Sequence, residues 1–490
     1  KFENFNFSGS GKKYGFAGYI KDGTFKNIDF ILNHNIDSYL PLYSDDFYTG
    51  GFAGVISGGV FENINLKLNT DIISKFSNTY RGSYTGGFAG YVRNGTFSNI
   101  KLDGGKKNIS SQTTSSRGSY IGGFAGYVNE GTFSNIKLEG VKNISIQPTG
   151  GFSLAGGFAG SASGTFSNIH LANIGNISSQ TTNGSSYVGG FTGYANGTFL
   201  NIYLKNIGNI SSQTTNSYSE AVGFAGSTSG TFSNIHLANI GNISSHLIIN
   251  GKNNSNFYSR TSGFAGLASG TFSNIHLKNI GDISSKVTKN DKEKNVYSQV
   301  GGFASEAQGD FDNIILDGVK SISSTMDGTS LDMGGIIDTV YVGGFAGYEV
   351  ALNGTFSNIH LKNIGDISST IDGGDGRYIY MGGFIGNTYG NSKIDNITID
   401  GIKSITNTNN AYTHNLSGAP SIASTSAIGG FIGSLGVYES AAIKNISIKN
   451  LGAISNLNNK FLAHNSGDIA VSSNYTSGFI GEVRDKIVSF

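Results

Sequence analysis

Four histidines, His170, His236, His276 and His360, each follow the tripeptide Ser-Asn-Ile and so share one position of a repeated phrase. Imidazoles stacked at one such position are the ligand type for zinc or a related ion. Other copies place Tyr203, Lys101, Lys137, Ile315 and Thr398 there, a mixture that fits a solvent-facing slot better than a ligand set. Asp103 and Glu139 also match between successive copies, and two adjoining carboxylates could serve as acid and base in polysaccharide cleavage. Lys101, Lys106, Lys137 and Lys142 surround them, which points to an exposed ionic patch. "GGDGRYIYM" at Gly373 begins like a calcium-binding nonapeptide, but Tyr378 stands where the aspartate belongs, and the stretch reads as a loop. "SSQTT" at Ser110, Ser178 and Ser211 offers threonines for a flat ice-binding array, in three copies only. "KVTKNDKEKN", Lys286–Asn295, mixes both signs of charge and reads as a solvated insertion. Triplets such as Asn176-Ile-Ser178 are glycosylation acceptors that come with the repeat. No catalytic residue, metal ligand or cofactor is expected.

Composition narrows the elements that carry these residues. Glycine makes up 74 of 490 residues and proline only three, Pro41, Pro148 and Pro420. Many tight turns are therefore needed, while few backbone donors are missing from a continuous ladder. Charged residues are 13% and aromatics 12%; the aromatic content argues against disorder. The net charge of +1 argues against nucleic-acid binding. No cysteine is present, which excludes disulfides and thiolate metal sites. No apolar run reaches the roughly 18 residues of a membrane helix, so membrane insertion of this segment is not expected. "KFENFNFSGS" carries no signal-peptide core.

Repetition dominates everything else. A Gly-Phe step recurs at Phe16, Phe52, Phe88, Phe124, Phe158, Phe191, Phe224, Phe264, Phe303, Phe345, Phe384, Phe431 and Phe479, at spacings of 33 to 48 residues. "GTFSNI" or a variant follows the first twelve, with its asparagine at Asn27, Asn63, Asn99, Asn135, Asn168, Asn201, Asn234, Asn274, Asn313, Asn358, Asn396 and Asn445. The opening "KFENFNF" is in register with that phrase, as expected of a piece of a longer chain.

The phrase encodes short strands and corners. "YVGGFAGY", "IHL" and the "NIS" region are β-branched and aromatic, and no sustained helical periodicity appears. In "TFSNIHL", a bend at Ser167-Asn168 lets Phe166, Ile169 and Leu171 all point inward, and asparagine tolerates the left-handed backbone required. A second corner falls at Asn173, where other copies have Asn206, Asn239, Asn279 and Asn363 or Gly140, Gly318 and Gly401. Those two residue types share tolerance of positive φ. From Gly-Phe to "ISS", five copies keep one length, whereas the return takes 12, 12, 19, 18 and 21 residues. Most insertions therefore enter at one corner, with a smaller second point at Glu349–Asn353. The expectation is an all-β parallel β-helix (β-solenoid), right-handed by default, of about thirteen coils built on two internal phenylalanine ladders. It is read as one continuous solenoid over 1–490, loop-poor in 1–245 and loop-rich in 246–490.

"GGFAG" and "GGFIG", followed by "GTFSNI", resemble the GLUG-type repeats of bacterial surface proteins from Gly15 to Gly481. They are also similar to the β-helical passengers of autotransporters and filamentous-haemagglutinin-like exoproteins. Phenylalanine stands where the GLUG name expects leucine. The resemblance implies secretion, a cell-surface location, and adhesion to a host-cell or bacterial glycan or protein. A non-catalytic adhesin region is thus the expected function, with a carbohydrate-active β-helix enzyme or a toxin-like passenger as alternatives. Candidate binding loops are 246–258, 325–341, 407–427 and 456–474, and uncapped coils suggest end-to-end self-association.

Overall fold

The computed structural model describes residues 15–34, 36–40, 46–76, 81–114, 116–250, 256–290, 295–328, 338–350, 354–372, 377–410, 425–436, 441–458, 473–484 and 488–489. The chain makes parallel strands throughout, coil upon coil, as a β-solenoid. A representative coil has four strands, Ser83–Gly86, Ala89–Val92, Thr96–Asp103 and Asn108–Thr113. Each pairs with its counterpart one coil on: Tyr84 with Tyr120, Phe97 with Phe133, Ile109 with Ile144. The stretch read as one strand, "YVGGFAGY", is in fact two strands broken at Gly-Gly-Phe. The reason is a close backbone approach: a Cβ on Gly87 would lie 2.1 Å from the Gly123 carbonyl oxygen. Only glycine permits that corner, and the Phe88 N–H then donates to the Phe124 carbonyl at 2.7 Å.

Two compact units divide the chain. The first comprises Lys1–Thr214 and Ala221–Asn242, the second Thr215–Glu220 and Ile243–Phe490. Both ladders form in each. In the first unit the Gly-Phe rings Phe88, Phe124, Phe158 and Phe191 stack at centroid distances of 4.8, 4.9 and 5.0 Å. The second ladder, Phe97, Phe133 and Phe166, stacks at 4.7 and 4.9 Å. The ladders meet edge to face, as in Phe124–Phe133 at 90°, the geometry the ring quadrupole favours. In the second unit Phe264, Phe303 and Phe345 repeat the pattern at 4.7 and 4.9 Å. There Ile394 and Ile443 continue the second ladder in register with Phe356, and both are buried.

Both corners adopt the left-handed backbone that the sequence implies. Asn168 has φ 54° and Asn173 φ 53°, and Gly140, Gly318 and Gly401 have φ of 75°, 81° and 88°. In the first unit the first-corner amides form a ladder: Asn99 to Asn63, Asn135 to Asn99 and Asn168 to Asn135, at 3.1, 3.1 and 3.2 Å. The side chains are turned along the stack as expected, but most are exposed rather than buried, so water competes for each bond.

The fourth strand buries a polar seam that serine in the sequence does not announce. Ile177 points inward, and so therefore does Ser179, two residues on. In the second unit Ser245, Ser259, Ser285, Ser298 and Ser324 link hydroxyl to hydroxyl at 2.9, 2.8, 2.8 and 2.7 Å. A buried hydroxyl is tolerated because each one can both donate and accept.

Candidate functional site

The corner at Gly-Gly-Phe sets the outer wall. The residue four before each ladder phenylalanine and the residue three after it both face outward across that corner. In the first unit these positions are filled largely by tyrosine. Tyr48, Tyr84 and Tyr120 stack at 5.1 and 4.9 Å, and Tyr91 stacks on Tyr127 at 5.4 Å. The two columns meet edge to face, with Tyr84–Tyr91 at 76° and Tyr120–Tyr127 at 88°. An external tyrosine herringbone thus mirrors the internal phenylalanine one. All five rings are half-buried. Burial pushes the Tyr84 and Tyr120 phenols well up, and the nearby Asp46 charge adds to it. They stay neutral hydrogen-bonding groups through the physiological range.

In the second unit the same repeat positions carry charge as well as aromatics. Arg260 donates from Nη2 to Glu306 Oε2 at 2.6 Å and from Nε to Gln299 Oε1 at 2.7 Å. Its Nη1 lies 3.9 Å from Glu220 Oε2, and its guanidinium sits 5.1 Å from the Tyr258 ring centroid. Gln308 donates to the other Glu306 oxygen at 2.6 Å. Glu220 is 2% exposed, and its Oε1 has no hydrogen-bond partner among the described residues. Burial raises its carboxyl to about 7, against the pull of Arg260 and with the help of Glu306. Further along, Tyr341 stacks on Tyr348 at 4.7 Å and on Tyr380 at 5.5 Å. Burial pushes Tyr348 and Tyr380 up to about 12.

The residues singled out from sequence behave differently. His170 and His236 stack on either face of Tyr203, at 4.7 and 5.1 Å, in an outer aromatic column. No group of three or more His, Cys, Asp or Glu side chains suited to a metal occurs among the described residues. Asp103 and Glu139 are in register, but Lys137 and Lys101 bridge to Glu139 at 2.8 and 3.6 Å. The Lys137 hydrogen bond holds the Glu139 carboxyl below its usual range. The pair is the ionic patch and not an acid–base couple.

Two readings need correction. "KVTKNDKEKN" is not wholly a solvated insertion: strand Thr271–Lys289 runs into it, and Lys289 is buried, donating to Asp338 Oδ1 at 3.0 Å. "GGDGRYIYM" is not all loop either, since Arg377–Gly382 is a strand with Arg377 buried 3.8 Å from Asp338. In both, alternation buries a long cation whose charge an aspartate offsets. Residues 251–255, 329–337, 411–424 and 459–472 of the four candidate loops lie outside the described residues, as do 351–353 at the second insertion point. No described helix is long and apolar enough to cross a membrane.

Comparison with protein-family models, curated proteins and solved structures gave no match.

Proposed function

We propose that the chain is a non-catalytic, surface-exposed repeat region of an adhesin or exoprotein, related in design to GLUG-type and filamentous-haemagglutinin-like β-helices. It acts as a rigid support that presents a recognition surface at the extracellular face of a bacterium. The observation that carries this reading is the tyrosine herringbone of the first unit. Tyrosine gives large, rigid, amphipathic contact area at low entropic cost, and the stripe of Tyr84, Tyr91, Tyr120 and Tyr127 contains no acid–base pair. The partner is a glycan or protein of another cell surface, with the insertion loops as a second contact. The test is binding of the labelled chain to host cells and to arrayed glycans. Tyr84→Ser/Tyr120→Ser/Tyr127→Ser should lose binding while keeping the fold. A stripe variant that binds like the parent, beside a loop-shortened variant that does not, would move recognition to the loops.

The Glu220–Arg260–Glu306 cluster favours a second reading, a carbohydrate-active enzyme. A buried carboxyl whose proton affinity is raised, beside a second carboxylate, is the kind of pair on which acid–base cleavage of a glycosidic bond draws. Against it, Arg260 already occupies Glu306, and both carboxylates are largely covered. Release of reducing ends from polysaccharides, abolished by Glu306→Gln, would establish this second reading.

A further inference from the structure

In the first unit a glycine at positive φ stands two residues before the phenylalanines of the second ladder. Gly23, Gly95, Gly131, Gly164 and Gly197 have φ of 133°, 144°, 138°, 126° and 125°. The backbone demands glycine there and leaves the residue before it free to vary, as Asp22, Asn94, Glu130, Ser163 and Asn196. Asparagine in that place makes an Asn-Gly pair, at Asn94 and again at Asn196. Such a pair can react with itself, because no Cβ shields the glycine nitrogen from the neighbouring carboxamide.

The two pairs sit in different backbones. Gly95 comes seven residues after Phe88, whereas Gly197 comes six after Phe191. The extra residue makes a bend at Asn94, between the strands Ala89–Val92 and Thr96–Asp103. Asn196 and Gly197 instead lie inside the unbroken strand Thr192–Ile207, in register with Ser163 and Gly164. At the bend, the Arg93 and Thr96 N–H groups donate to the Ile56 and Gly59 carbonyls of the preceding coil at 2.7 and 2.9 Å. The Gly95 N–H between them donates to Asn94 Oδ1 at 2.7 Å, and Gly23 meets Asp22 Oδ1 in the same way at 2.7 Å. The Gly95 nitrogen thus already lies against the carboxamide. Asn94 is exposed, so a small turn about its side-chain bonds carries the carboxamide carbon over that nitrogen. At a third pair, Asn183-Gly184, the glycine is buried under Gly151, whose carbonyl oxygen would lie 1.5 Å from a Cβ.

We infer that Asn94 is a site of spontaneous self-modification. The Gly95 nitrogen gives up its proton to solvent base and bonds to Asn94 Cγ. The side-chain amide takes a proton and leaves as ammonia, which closes a cyclic imide. Water then opens the imide at either carbonyl, giving aspartate or, with the chain routed through the side chain, isoaspartate. Either product puts a carboxylate beside Arg93 where an amide stood, and Asp22 shows that the bend accepts aspartate. Isoaspartate also adds an atom to the backbone three residues from Tyr91, so the change falls at the edge of the tyrosine stripe. The chemistry holds whether or not that stripe is a recognition surface.

The test is mass-spectrometric peptide mapping of the full chain after incubation in warm, mildly alkaline buffer, with peptic digestion in acid to halt the reaction. The peptide containing Asn94 should gain one mass unit and split into aspartyl and isoaspartyl species. The peptides of Asn183 and Asn196 should convert about tenfold more slowly. In urea, where the bend is lost, the three rates should converge. Asn94→Ser should remove that one mass shift and leave the rest of the map unchanged. An Asn94 that stays intact, or converts no faster than Asn196 in the folded chain, overturns the inference. So does a rate gap that persists in urea, since neighbouring side chains and not the bend would then set it.

Discussion

The outer wall of the first unit and that of the second use one lattice for different ends. At the position four before the ladder phenylalanine, the first unit has Tyr48, Tyr84 and Tyr120, whereas the second has Arg260 and Gln299 before tyrosine returns at Tyr341 and Tyr380. Three after it, Tyr91 and Tyr127 correspond to Glu306 and Tyr348. Inside both units the two apolar ladders persist, with Ile394 and Ile443 taking over the second one late in the second unit, so the solenoid tolerates either covering. Aromatic columns give every coil a similar surface. The Arg260 cluster is non-periodic, directional and covered, which is the character of a local lock rather than a recognition surface.

Removing the arginine should break the comparison most severely. Arg260→Ala leaves Glu220 and Glu306 facing each other in a shielded site, and a loss of about 3–5 kcal/mol is expected by chemical denaturation. Arg260→Met/Glu306→Leu should recover most of it, because the unpaired charge goes with its partner. A loss under about 1 kcal/mol for Arg260→Ala would make the cluster an ordinary surface pair.

The next effect depends on pH. The folded-state Glu220 carboxyl is raised to about 7, above its unfolded value. Its contribution is therefore fully present below the unfolded value and is lost as pH rises through about 7. Stability should fall between pH 5 and pH 8 by a term on the order of 3 kcal/mol. Glu220→Gln should flatten that slope, as read from urea midpoints across the range. An unchanged slope would place the titration elsewhere.

In the first unit, Tyr120→Ala should cost about 2 kcal/mol, the worth of a half-buried ring with stacked and edge-to-face neighbours. It should show no comparable pH dependence near neutrality, because the phenol is held neutral there. The smallest effect is expected at the corner. Asn168→Ala removes exposed amide bonds and a favourable left-handed residue, for about 0.5–1 kcal/mol. Asn168→Gly, which keeps the backbone freedom, should separate the two contributions.

The sequence makes some of this legible and hides the rest for physical reasons. Phe88 and Phe124, Asn168 and Asn173 could be read because a ladder needs one residue type at one position and a left-handed corner needs Asn or Gly locally. Tyr84 and Tyr91 escaped because "YTGGFAGY" reads as one strand; the break at Gly87 depends on contact with the next coil. Ser179 was hidden by its polarity, since a serine predicts exposure until its hydroxyl partners are known. Glu220 and Arg260 stand four before Phe224 and Phe264 and Glu306 three after Phe303, but other copies fill these positions with tyrosine, leucine or serine, so only coil stacking shows that the three charges meet.

One paired measurement tests the contrast between the walls most directly: cell binding and unfolding midpoint for Tyr84→Ser/Tyr120→Ser/Tyr127→Ser and for Arg260→Ala, side by side with the parent. The tyrosine variant should lose binding even when held below its own unfolding transition, with a loss of stability of about 2 kcal/mol for each of its three half-buried rings. Arg260→Ala should lose stability and, held below its own unfolding transition, bind as the parent does. Binding retained by the tyrosine variant and abolished by Arg260→Ala in its folded state would contradict the account.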